Sequence, residues 1–258
     1  MSTFLVLALL AVDPETLIRA AAEEDKRQEE LRSPFVFRER QRNWNVDKSG
    51  RRGEKPWVER IYEHIFLEGL PYKQLIEKNG KAIVGAERQR LASAREQEAA
   101  RRRENRKLRK PFLPGTRNIR MGTLAELPEA YVLKSSGEET VEGAVCDILE
   151  AEPNGRKETE RLRELQSYRQ RLWIAREKRV LVRRRVEVIG PDSEVLPGSI
   201  ITFEWSPREE GIWFEKKREI EFGAKIFKVR TSRGYQLHEY FDYRRFAVES
   251  TITPADPD

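Results

Sequence analysis

The chain has 258 residues, with 50 Lys and Arg against 44 Asp and Glu, a formal net charge of +6, and 38% hydrophobic residues. Its length allows one large or two small domains and a core that needs no covalent staples. The single cysteine, Cys146, excludes an internal disulfide and any zinc site built on two or more cysteines. Two histidines, His64 and His238, leave little for metal or acid–base chemistry. No run of about 18 apolar residues offers a membrane-spanning helix.

Residues Phe4 to Val12 read FLVLALLAV. The run is too short to cross a bilayer. It fits the apolar region of a secretory signal, with Ala11 as a small residue for cleavage, although only Met1-Ser2-Thr3 precedes it and the usual positive charge is missing. Residues 1–12 are therefore read as a signal peptide and the mature protein as periplasmic or secreted. Asp13-Pro14-Glu15 then starts a helix: a capping side chain, a proline suited to the first helical position and an acid that favours the dipole. Leu17, Ile18, Ala21 and Ala22 make a narrow apolar stripe, and Ser33-Pro34 ends the helix.

From Pro34 the period shortens. Pro34 to Asn45, Pro56 to Leu67 and Tyr72 to Glu77 read as strands, with a turn at Asp47 to Lys55, another at Gly69 to Pro71 and an Asn79-Gly80 hairpin signal. Ala86 to Lys110 breaks the pattern. It is a strong helix by propensity, holding ten Lys and Arg and four Glu. Ile119 to Leu127 reads as a short helix or turn, and Pro153 to Ser167 as a charged connection. Strands are expected at Tyr131 to Lys134, Glu142 to Glu150, Arg169 to Ala175, Arg179 to Ile189, Ser199 to Ser206, Gly211 to Phe222, Ala224 to Thr231 and Gln236 to Phe246. Ile220-Glu221-Phe222-Gly223 and Arg233-Gly234 are read as hairpin punctuation. The expected fold is mainly β with helices, an α+β curved antiparallel sheet or incomplete barrel of nine to ten strands. Helices cover it, with the basic helix 86–110 inserted into a single domain over residues 13–252. Residues 253–258 are a frayed polar tail.

No P-loop, GxGxxG, GxSxG or HExxH motif occurs. Cys146 lies in the apolar stretch Ala144-Val145-Cys146 and reads as a small buried hydrophobe. His64 and His238 read as half-exposed strand histidines beside Glu63 and Glu239; a metal or acid–base role would require them to meet across the sheet. No catalytic residue, metal or cofactor is assigned.

Two groups of residues remain. Arg101, Arg102, Arg103, Arg106, Lys107, Arg109 and Lys110 either form a solvated helix with pairs such as Glu98–Arg102, or meet an anionic membrane surface or an acidic envelope protein. No aromatic residues interleave within the helix to stack bases, so nucleic acid is not expected as a partner. The second group is aromatic: Phe35, Phe37, Trp57, Tyr62, Trp173, Phe203, Trp205, Phe214 and Phe227, together with Trp213, spread over successive strands. They either fill a core or line an apolar cavity. Lys216 and Arg218 interrupt the same strand face as Ile212, Phe214, Ile220 and Phe222, which suits a groove open to water at one end.

The strand pattern resembles the LolA/LolB-like lipoprotein-sorting family. Arg171 to Ile189 (RLWIAREKRVLVRRRVEVI) is similar to the family's Leu-Trp-Ile segment, turn and following strand, with Ala175 where an Asp is usual. Glu138 to Glu152 resembles its glycine turn and strand, Ile201 to Phe214 its next hairpin, and Tyr240 to Val248 its closing strand. The resemblance spans Pro34 to Ile252, and the basic helix is an addition to it. It implies a non-enzymatic carrier whose apolar cavity holds lipid or lipoprotein acyl chains. A filled-core interaction module docking an acidic partner is the alternative. An enzyme centred on His64 or His238 ranks third.

Overall fold

The computed structural model describes residues 13–47, 49–107, 121–190, 195–208, 211–226 and 230–246. The signal-peptide reading of residues 1–12 and the tail 253–258 lie outside them. Helix α1 (Pro14–Arg32) begins where the sequence signals it: the Asp13 carboxylate accepts from the backbone N–H of Thr16 at 2.8 Å, with Pro14 in the first turn. Its stripe of Leu17, Ile18 and Ala21 is fully buried.

Among the described residues, eleven antiparallel strands form one open sheet: β1 (Phe35–Val46), β2 (Val58–Leu67), β3 (Leu70–Lys78), β4 (Lys81–Ala82), β5 (Tyr131–Val141), β6 (Ala144–Pro153), β7 (Tyr168–Ala175), β8 (Leu181–Val188), β9 (Ile200–Pro207), β10 (Trp213–Ile226) and β11 (Arg230–Arg245). The spatial order is β4-β3-β2-β1-β11-β10-β9-β8-β7-β6-β5. Every pair of strands consecutive in the chain is adjacent in the sheet except β4 and β5, which lie at its two edges; β1 also pairs with β11 and so joins two meanders into one sheet. Asn79 and Gly80 both have positive φ (51° and 73°) in a two-residue loop between Lys78 and Lys81, the geometry an Asn-Gly pair favours. Helix α2 (Gly85–Lys107) follows β4, and helices α3 (Leu127–Ala130) and α4 (Glu160–Leu165) lie before β5 and before β7.

Two expectations need correction. Residues 153–167 are more than a charged connection: Thr159 accepts from the Leu162 N–H at 3.1 Å and caps α4, which buries Leu162 and Leu165. Two apolar residues in a charged stretch are a weak signal, but they suffice once a core waits beneath them. The hairpin breaks at Gly223 and Gly234 are also absent, because both glycines sit inside the long β10–β11 ladder, paired as Gly223↔Arg233 and Phe222↔Gly234. A Cβ on Gly234 would lie 2.6 Å from the Phe222 ring, and one on Gly223 would lie 3.1 Å from Leu196. These glycines admit neighbouring side chains onto the backbone; they do not turn the chain.

Buried apolar residues gather over β5–β9. Leu17, Ile18 and Ala21 of α1 pack with Leu124, Leu127 and Ala130, with Leu162 and Leu165, and with Leu149, Leu172 and Ile174 of the sheet. A second cluster joins Cys146, Ile148, Trp173, Val182 and Trp213. Cys146 is fully buried, its thiol pushed up by burial, as a small core hydrophobe should be. A third cluster joins Tyr168, Val186, Val188, Ile201 and Phe203. No buried residue of β1, β2, β3 or β11 belongs to these clusters.

Candidate functional site

Cross-strand register shows which side chains share a face. Leu149, Leu172, Arg184, Phe203, Arg218, His238, Gln41 and Arg60 are successive partners from β6 to β2. Leu149 and Leu172 pack under α1, so this is the helix-bearing face. Along it the chemistry changes from aliphatic to polar and aromatic, with Arg184 at the border. Burial lowers the Arg184 guanidinium to a pKa of about 10. It donates to Gln170 Oε1 at 2.8 Å and to the carbonyls of Met121 and Gly122 at 3.0 and 2.8 Å, tying the chain before β5 to the middle of the sheet.

Beyond that border lies Glu39, 2% exposed. Tyr62 and Tyr240 flank it across the ladders, and Phe37, two residues away on the same face, faces His64, which faces Lys73. The Glu39 carboxylate has His64 Nε2 at 2.6 Å, His238 Nδ1 at 2.7 Å and Lys73 Nζ at 2.9 Å. Burial alone would push its pKa up. Hydrogen bonds from His238 and His64 and the charge of Lys73 overcome that and hold it far below the usual carboxylate range. An ionised carboxylate only accepts, so both ring nitrogens facing it carry protons. His238 Nε2, on the other side of its ring, is buried with no hydrogen-bond partner.

The histidines therefore do meet across the sheet, through a residue that neither adjoins in sequence. Neighbouring residues on a strand point to opposite faces, so Glu63 and Glu239 were never available to them. Lys73 and Glu39 carry no motif, and only the pairing of β1 with β2 and β11, and of β2 with β3, brings four distant residues together. The cluster is an ion-pair network: no group of three His, Cys, Asp or Glu side chains among the described residues is arranged to hold a metal.

The aromatic candidates divide. Phe35, Phe214, Tyr243, Phe37 and His64 form a continuous lane, with ring centroids 4.9, 4.3, 5.0 and 4.3 Å apart in that order. Tyr240 joins it beside Phe37. Phe203 and Trp205 stack farther along the same face, with the Arg218 guanidinium 4.9 Å from the Phe203 ring. Tyr62 lies under the Lys73 ammonium at 4.0 Å. Trp173 is not part of this surface. Its neighbour Leu172 faces α1, so Trp173 points to the opposite face, between Arg171 and Arg183 and donating to Glu139 at 2.7 Å. Trp57 precedes β2 and is 59% exposed, away from the lane. Phe227 lies outside the described residues. Tyr240 and Tyr243 also belong to the lane: in YFDYRRF the bulge at Asp242 (φ 55°) turns Tyr243 to the same face as Tyr240, which period alone does not show.

The basic helix is docked through its cations. Arg102, 7% exposed, donates to Glu98 at 2.6 Å and to the carbonyls of Leu67, Leu70 and Pro71 at 2.9, 3.0 and 3.1 Å, so it clamps the β2–β3 turn. Arg101 pairs with Glu98 at 2.6 Å and Arg103 with Glu68 at 2.7 Å, and Arg106 reaches the Glu68 carbonyl. Arg109, Lys110 and the Lys107 side chain lie outside the described residues.

No family model matches the sequence, and no curated protein matches it. Similar solved structures exist. One, described as an outer membrane lipoprotein-sorting protein domain from Vibrio parahaemolyticus, is 11% identical with a TM-score of 0.43, over 90% of this chain and 93% of that one. A LolA superfamily protein from Nitrosomonas europaea is 9% identical with a TM-score of 0.38, over 95% and 99%. A chain of the Pseudomonas aeruginosa MucA/MucB complex is 9% identical with a TM-score of 0.25, over 88% and 99%. The first two fall in the group that the strand pattern resembles. At these identities the likeness concerns the fold alone and says nothing of a ligand.

Proposed function

We propose that this protein is a non-enzymatic binding protein of the bacterial periplasm that holds a lipid or the acyl chain of a lipoprotein. One observation carries the reading: the apolar stripe of α1 packs over β5–β8, and beyond it lie the half-buried rings of Phe35, Phe37 and Tyr243, in contact with the buried Phe214. Rings in a row provide apolar contact for a chain, at about 25 cal/mol per Å² of buried area before association costs. Arg218 and Lys73 lie beside the lane, paired with Glu215 and Glu39 at 2.9 Å each. The paired donors on Glu39 leave it without a proton to move, which supports a binding role over a catalytic one.

The test is native mass spectrometry of the protein purified from its own envelope, followed by lipid extraction. A bound acyl species, displaced by added fatty acid and lost in Phe37→Asp, supports the reading. A clean apo mass with no uptake of lipid or of a hydrophobic dye overturns it. The second reading is then an envelope interaction module that docks an acidic partner, an anionic membrane surface being excluded by unchanged vesicle binding. It is favoured by the filled core beneath α1. It predicts a salt-sensitive pull-down that Arg101→Glu weakens.

A further inference from the structure

A separate cleft of about 600 Å³ opens at the far end of β1, β10 and β11. Its floor is the Phe222 ring, which lies across the backbone of Gly234 where any Cβ would collide with it. One wall is the turn after β1. Asp47 Oδ1 accepts from the N–H groups of Ser49 and Arg51, each at 2.9 Å, and a β-bridge pairs Val46 with Arg52. Beyond it the Arg52 guanidinium lies over the rings of Tyr235 and Trp44, at 4.6 and 4.9 Å. The opposite wall is Leu196 to Ser199, pinned to β10 by Leu196 N–H on the Gly223 carbonyl at 2.8 Å and Gly223 N–H on Ser199 Oγ at 3.0 Å. Arg233 reaches the cleft from β11, and Glu221 stands exposed at its rim.

Neither Arg52 nor Arg233 takes part in an ion pair within 4.0 Å among the described residues. The nearby Glu219 carboxylate is engaged by the Tyr235 hydroxyl and by Lys217 at 3.2 Å, and the charge of Arg52 also reaches it. Two guanidinium groups that line one cleft, neither held in a close ion pair, suit an oxyanion, which each can bind with two parallel hydrogen bonds. The volume is that of a small-molecule site, and Phe222, Leu196 and Pro197 supply apolar surface for the rest of the molecule.

We infer that this cleft is a binding site for a phosphate- or carboxylate-bearing small molecule, held by Arg52 and Arg233. The site is distinct from the aromatic lane and does not depend on it. The test is calorimetric titration of the full chain with dihexanoyl phosphatidate, inorganic phosphate and uncharged dihexanoylglycerol. Saturable binding of phosphatidate or phosphate is expected. It should weaken as salt rises and fall at least tenfold in Arg233→Gln, an exposed position whose change leaves the fold intact, and in Arg52→Gln. Tighter binding of phosphatidate assigns the anion to a lipid headgroup, and equal binding assigns it to a free anion. Both support the site. No saturable binding of either anion, unchanged affinity in both variants, or equal binding of dihexanoylglycerol overturns it. Phe37→Ala should leave this titration unchanged, so the lane can fail while the cleft stands.

Discussion

The two halves of this sheet hold together by different means. Under α1, β5–β8 bury a continuous aliphatic cluster that includes Leu17, Ile18, Leu149, Leu172 and Ile174. Across β1–β3 and β11 no such cluster exists, and the same face is organised around one buried carboxylate with three donors. An aliphatic core is non-directional and tolerates sliding, whereas a buried ion-pair cluster demands particular partners at particular positions. The first half is therefore built as a foundation. The second holds its rings half-buried around a buried ion-pair cluster, with no aliphatic core beneath them.

The comparison can be broken by substitution. Leu172→Ala should cost the most, about 4 kcal/mol, because it opens a cavity in a fully buried cluster; Phe37→Ala, on a half-buried lane, should cost about 1 kcal/mol. Equal costs in urea denaturation would mean that the halves are packed alike. Glu39→Gln should cost about 3 kcal/mol, since it strands the groups around it. It should also change the pH profile. The Glu39 pKa is lower folded than unfolded, so its stabilisation is full above the unfolded value of about 4.5 and is lost as pH falls below it. The variant should accordingly show a shallower loss of stability in acid, and an unchanged slope would remove Glu39 as the anchor of that half.

Two smaller effects sharpen the picture. Arg102→Met leaves three turn carbonyls without their donor, so about 2 kcal/mol should be lost, chiefly as loosening of α2. Faster amide exchange confined to α2 and the β2–β3 turn would show it. Gly234→Ala should cost about 1 kcal/mol through the Phe222 ring, and Phe222→Leu should relieve most of that penalty. Additive losses would mean that the ring is not what the glycine accommodates.

Much of this was legible in the residues. The α1 cap, the Asn79-Gly80 turn, the strand alternation and the polar α2 are local signals, carried by side chains within a few positions of one another. The α+β open sheet followed from counting them. What the chain order could not show is that β1 pairs with β11 as well as β2, because pairing between residues some 200 apart leaves no periodic trace. From that one pairing come the meeting of His238 with Glu39, the joining of Phe37 to Tyr240 and Tyr243, and the approach of Arg52 to Tyr235 at the Phe222 cleft. Composition and period determined α1, α2 and most of the strands, but not α4 or the unbroken β10–β11 ladder. Only the tertiary structure decided which polar groups meet, because a partner's identity depends on register and face, and both are settled by the whole sheet at once.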